Sequence, residues 1–154
     1  MASHLAQVAL LKKVSLHSDD YYEDAKPLGE IARDAFGRQN KAQMSNLENI
    51  ANSATRVADI LDFIKRQTGR SKPGSRWLKQ NFGRQLLEYL DGRLRKQAAE
   101  LVSEVAAALK DSQFQTGDKQ HVHILLCREF IRHLMAHYLY SLNLADRNSE
   151  EANG

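Results

Sequence analysis

The sequence predicts an all-α fold: a compact helical bundle of three long helices, preceded by one or two short ones. Leu and Ala dominate, with 20 and 18 residues against 15 β-branched residues. Leu and Ala favour helix, whereas β-branched side chains favour strand. The 2 Pro and 8 Gly lie mostly between apolar runs, not at the close spacing of β-turns. Apolar residues recur at alternating steps of three and four, the period of one helix face. These observations argue against a β-sandwich or barrel, and an α/β fold would have no evident strands. The 154 residues are one domain's worth, and 42% hydrophobic composition is enough for a core.

Residues 1–37 read as an N-terminal arm with short helices. Within it, 1–14 form a short amphipathic helix carrying Leu5, Val8 and Leu11. The acidic stretch HSDDYYEDAK at 17–26 reads as a loop or mobile arm. Pro27 opens a second short helix, PLGEIARDAF, and Gly37 closes it.

Residues 38–145 read as the bundle. Leu47, Ile50, Ala54, Val57, Leu61 and Ile64 follow steps of 3, 4, 3, 4 and 3, which predicts one helix over 41–68. Gly69 is its natural stop, with Lys65 and Arg66 complementing the negative helix end. GRSKPGSR at 69–76 is a loop. Leu87, Leu90, Leu94, Ala98, Leu101, Val105 and Ala108 trace the next helix, with a bend or break at Gly83 or Gly92. Residues 112–118 form a turn. The last helix, 119–144, has the widest apolar face: Val122, Leu125, Leu126, Phe130, Ile131, Leu134, Tyr138 and Leu142. Such a face suits a central helix. Residues 146–154 are a polar tail.

The single cysteine, Cys127, excludes an intrachain disulfide and a Cys-based zinc site. No apolar run reaches the roughly 20 residues that span a bilayer, and the N-terminus lacks signal-peptide organisation. The expected setting is cytoplasmic, with no membrane partner.

The formal net charge of +3 conceals an asymmetry. Between Lys65 and Lys96 the chain carries Lys65, Arg66, Arg70, Lys72, Arg76, Lys79, Arg84, Arg93, Arg95 and Lys96 against only Glu88 and Asp91. That window is +8 and the remainder −5. Concentrated positive charge beside a Gly/Pro loop is a footprint for a polyanion. Arg outnumbers Lys there, and its planar fork grips phosphate oxygens in pairs. The candidate nucleic-acid contacts are Lys65, Arg66, Arg70, Lys72, Arg76, Lys79, Arg84 and Arg93. Trp77, Phe82 and Tyr89 are interleaved with them and are candidates for base stacking. With no base-reading motif, binding would go to phosphates and shape. A contact to an acidic protein, or a merely solvated basic face, is the competing explanation.

No Walker loop, G-x-S-x-G, H-E-x-x-H or paired-carboxylate motif is present, and no cofactor is implied. Arg132 and His137 frame an R-x4-H segment that resembles the signature of HEPN ribonucleases, with His133 as the polar residue after the Arg. An imidazole could move a 2′-OH proton while a guanidinium stabilises the phosphorane. Glu129, His133 and His137 share one helix face at i, i+4 and i+8 and could chelate a metal, although a polar stripe explains them as well. No metal site is assigned. Cys127 reads as a small core residue.

Three segments in order carry a further resemblance: KAQMSNLENIANSATRVADIL, DFIKRQTGR and REFIRHLMAHYLYSL. Their order resembles the small helical subunit of type III CRISPR effector complexes, the Csm and Cmr small-subunit family. The resemblance covers about residues 38–142. It implies a non-catalytic protein whose copies stack along the guide RNA–target RNA duplex, with other effector subunits as partners. By position, Lys65, Arg66 and Arg70 correspond to that family's basic helix end. The histidine-rich last helix and the acidic stretch at 18–24 depart from the pattern and leave the ribonuclease reading open. A homodimeric helical adaptor is the third reading.

Overall fold

The computed structural model describes residues 4–70, 72, 76–109 and 116–153. Every regular element among them is helical, in the order α1 (His4–Phe36), α2 (Lys41–Ser53), α3 (Val57–Arg70), a 3-10 turn (Lys79–Asn81), α4 (Phe82–Leu87), a π-helical turn (Glu88–Arg93), α5 (Leu94–Leu109) and α6 (Thr116–Asn153). The all-α class is as expected.

The N-terminal region departs from the sequence reading. It forms one 33-residue helix, not two short helices joined by a loop. Ser18, Tyr21 and Ala25 continue the buried stripe of Ala6, Leu10 and Val14 into Leu28, Ala32 and Phe36. The acids of 17–26 occupy the other faces, so burial of one stripe outweighs the polarity of the stretch. Pro27 lies inside the helix on its exposed side. Gly37, at φ +57°, ends the helix as expected, its N–H donating to the Arg33 carbonyl at 2.9 Å.

This helix is not an arm. Among the described residues it makes the most extensive helix pairing, with α6. Ser18 bonds Glu129, His137 bonds Tyr22, Arg33 bonds Ser141, and Arg38 pairs with Asp146. The residue numbers rise together, so α1 and α6 run parallel. Lys13 meets Glu104 and Asp24 meets Arg93, so α5 runs antiparallel to α1. Gly29 permits a close approach of the two helices: a Cβ there would lie 2.6 Å from His137 Cβ and 3.0 Å from the Tyr138 nitrogen.

The predicted helix over 41–68 is two helices. The chain leaves helical geometry at Ala54 (ψ 139°) and resumes at Val57. From α6, the Arg128 guanidinium donates to the carbonyls of Ala51 at 2.9 Å and Ala54 at 2.7 Å. It thereby satisfies acceptors at the end of α2. α3 continues through Gly69 to Arg70. The expected irregularity at Gly92 is the π-helical turn, whose Leu90 carbonyl accepts a hydrogen bond from His123 Nε2 at 2.7 Å. Residues 116–118, expected in a turn, begin α6, and 112–115 lie outside the described residues. Of the segment expected as a polar tail, residues 146–152 are exposed and the helix continues to Asn153; residue 154 lies outside the described residues.

One core joins all the helices. Leu47, Val57, Leu61, Leu90, Leu101 and Leu134 are all buried, in the phases expected. No described helix is long and apolar enough to cross a membrane.

Candidate nucleic-acid interface

α3 turns Val57, Ile60, Leu61 and Ile64 into the core. Lys65, Arg66 and Arg70 are left exposed on its last turns. Arg66 and Arg70 are four apart, so they stand one above the other on one face. Thr68 follows the inward stripe, and its Oγ1 donates to the Ile64 carbonyl at 2.8 Å. Against Thr68 packs Gly83, at the start of α4. Residues 76–81, just ahead of α4, are pinned by Trp77. Its ring is buried in edge or tilted contact with Phe36, Phe63 and Phe82. Its Nε1 donates to Gln43 Oε1 at 2.8 Å, and its carbonyl accepts from Gly83 N–H at 2.9 Å. The chain then passes through two left-handed residues, Gln80 (φ 51°) and Asn81 (φ 57°). The Gln80 carbonyl accepts from Gln85 Nε2 at 2.7 Å. Arg76 and Lys79 thus flank a tryptophan packed against Phe63 of α3.

The eight candidate cations are all exposed, but they divide by pairing. Lys65, Arg66, Arg70, Lys72 and Arg76 have no ion pair or side-chain hydrogen bond among the described residues. Lys79 Nζ donates to the Asp34 backbone carbonyl at 2.9 Å, which positions its charge without neutralising it. By contrast, Arg84 pairs with Glu88 at 3.1 Å and Arg93 with Asp24 at 3.4 Å. Arg95, in the same window, donates to Asp91 at 3.0 Å. From Lys65 to Lys79 the sequence holds six cations and no carboxylate; the nearest preceding acid is Asp62. Uncompensated charge is thus concentrated at the α3 end and the connection to α4. The negative end of α3 favours cations there, but that reason does not extend to Arg76 and Lys79.

The expected base-stacking residues are structural. Trp77 and Phe82 are buried. Tyr89 stacks on Phe130, centroids 4.1 Å apart, and its hydroxyl donates to Asp24 Oδ2 at 2.7 Å. Burial and that carboxylate push its pKa up. The sequence could not separate these rings from a stacking platform, because a loop–helix junction accommodates either.

The other candidates on α6 are placed differently. Arg132 is exposed and paired with Glu129 at 2.9 Å. His137 is 9% exposed, and its Nε2–H donates to the Tyr22 carbonyl at 2.8 Å. Five residues apart on one helix, the two point to different sides. Glu129 and His133 do meet, through a residue the sequence did not single out. Ser18 Oγ donates to Glu129 Oε2 at 3.0 Å and lies 2.7 Å from His133 Nε2. A hydroxyl has one proton, so His133 Nε2–H is the donor in the second bond. In that arrangement the serine is held between the two groups. No group of three metal-ligating side chains is found among the described residues. Cys127 is buried, and desolvation pushes its thiol up to about 12. Burial likewise lowers the pKa of His123, which lines a cavity of about 340 Å³ with Thr55, Arg56, Arg95 and His121.

No family model, no curated protein and no solved structure matches this chain.

Proposed function

We propose that this chain is a non-catalytic RNA-binding subunit that holds nucleic acid by its phosphates along Lys65–Lys79. One observation carries the reading: five exposed cations in that run have no partner among the described residues, whereas Arg84, Arg93 and Arg95 are paired with carboxylates. An unpaired cation meets a phosphate without first giving up an ion pair, and each contact releases condensed counterions. With the interleaved aromatic rings packed inside, binding is to backbone and largely indifferent to sequence.

The assembly we assign it to is a type III CRISPR ribonucleoprotein effector, as its small subunit, with guide and target RNA and the other effector subunits as partners. That assignment is supported by the sequence resemblance over 38–142. The ribonuclease reading has no comparable support, since Arg132 is engaged by Glu129 and His137 by Tyr22.

The test is fluorescence anisotropy with single-stranded RNA and an RNA duplex at low salt. Purified wild type is compared with the Arg66→Ala, Arg70→Ala, Arg76→Ala triple variant. Binding that is insensitive to base composition and weakened at least tenfold in the triple variant is expected. Equal affinity for the two proteins, or no binding by wild type, contradicts the reading.

A further inference from the structure

The three most exposed leucines among the described residues all lie near the start of α1: Leu5 at 66%, Leu11 at 52% and Leu16 at 73%. Leu11 and Leu16 line a shallow open groove with Val8, Lys12, Ser15 and Asp19. Helical phase explains it. Ala6, Leu10 and Val14 face the core, and residues 8, 12, 15 and 19, at steps of 4, 3 and 4, rise on the opposite side. This part of α1 is therefore apolar on two faces, of which the fold covers one.

Charge says what covers the other. Lys13 pairs with Glu104 at 3.0 Å and Asp20 with His17 at 3.2 Å. Lys12 and Asp19, on the groove, have no ion partner among the described residues. Along the helix the order is polar: Lys12 and Lys13 come first, then Asp19, Asp20, Glu23 and Asp24. Lys12 and Asp19 lie symmetrically about the Ser15–Leu16 pair. Two copies placed antiparallel, with a two-fold axis at that pair, set each Lys12 against the other's Asp19. The same operation brings the two Leu16 side chains to the axis, with Leu11 and Val8 flanking them. A parallel pairing would instead oppose Lys12 to Lys12 and Asp19 to Asp19.

We propose that this face is a homodimer interface, its occupant a second copy of the chain packed antiparallel through α1. Its self-complementary charge order is what an isologous two-fold contact requires. The inference stands apart from the RNA-binding reading, because residues 65–79 take no part in it.

Sedimentation velocity of the full chain across a wide concentration range tests it, with circular dichroism confirming that each variant is folded. Wild type is expected to pass from monomer to dimer. Leu16→Glu and Lys12→Glu are each expected to weaken the dimer about tenfold or more. The decisive arm mixes Lys12→Glu with Asp19→Lys. Each alone sets like charges together, whereas the mixed pair restores opposite charges at both contacts and recovers the dimer. A wild type that stays monomeric, a dimer indifferent to Leu16→Glu, or a mixture no more dimeric than its components overturns the proposal. So does a monomer that instead uses Leu16 to hold a different protein.

Discussion

Gly83 lies so close to Thr68 that a Cβ on the glycine would fall 2.1 Å from the threonine Oγ1. That contact seats the start of α4 against the end of α3, and with it the two flanks of the basic segment. Gly83→Ala is expected to destabilise the protein by about 1–3 kcal/mol through overpacking. The obstruction is a side chain, so Thr68→Ala in the Gly83→Ala background should recover part of the loss. Urea unfolding of the double-mutant cycle measures the coupling. Gly69→Ala is the control: nothing lies within 4 Å of its Cβ position, so no loss is expected.

Gly29 presents the opposite case. Its Cβ would meet the Tyr138 nitrogen at 3.0 Å and the Leu134 carbonyl oxygen at 3.1 Å, both backbone atoms. Gly29→Ala should cost at least about 1–3 kcal/mol. His137→Ala should not rescue it, because the alanine keeps the Cβ that lies 2.6 Å away. Thermal melts of the two single variants and the double variant would show whether α1 and α6 can separate to accommodate the methyl.

Acid should weaken the fold through His123. Burial lowers its folded pKa below the ordinary 6.5, so the unfolded chain takes up a proton that the folded chain refuses. The stability held by the neutral ring is complete above pH 6.5 and falls as pH drops from there toward the lower folded value. Unfolding free energies between neutral and mildly acidic pH should decline for wild type and decline less for His123→Gln, whose amide can still donate to Leu90. An identical slope in both proteins would remove His123 as the cause.

Leu61→Ala and Leu101→Ala each remove a buried side chain and should cost about 2–5 kcal/mol in chemical denaturation. Losses below about 0.5 kcal/mol, the usual range for surface positions, would contradict the packing of α3 and α5.

The core was legible in the sequence because helical phase alone decides which leucines point inward, as at Leu47, Leu90 and Leu134. The course of the chain was less so. Residues 17–26 read as a loop because their acids are conspicuous, while the stripe of Ser18, Tyr21 and Ala25 beneath them is built from small and amphipathic side chains. The break between α2 and α3 left no local mark: no Gly or Pro stands there, and Ala54 and Val57 are buried in step with the stripe. Part of its support is Arg128, on a helix far along the chain, and a long-range partner has no local signature. The same limit applies to the candidate interface. Composition found the basic window, but only tertiary structure separates Arg70, without a partner among the described residues, from Arg93, paired to Asp24 on α1.

The central claim is that unpaired cations, not cations in general, hold the nucleic acid. The slope of log affinity against log salt for single-stranded RNA tests it most directly, measured for wild type, Arg70→Ala, Arg76→Ala, Arg84→Ala and Arg95→Ala. Removing one cation that neutralises a phosphate should flatten the slope by about 0.7. That flattening is predicted for Arg70→Ala and Arg76→Ala, with little change for the variants of the carboxylate-paired Arg84 and Arg95. Equal flattening for all four variants, or a wild-type slope near zero, would contradict it.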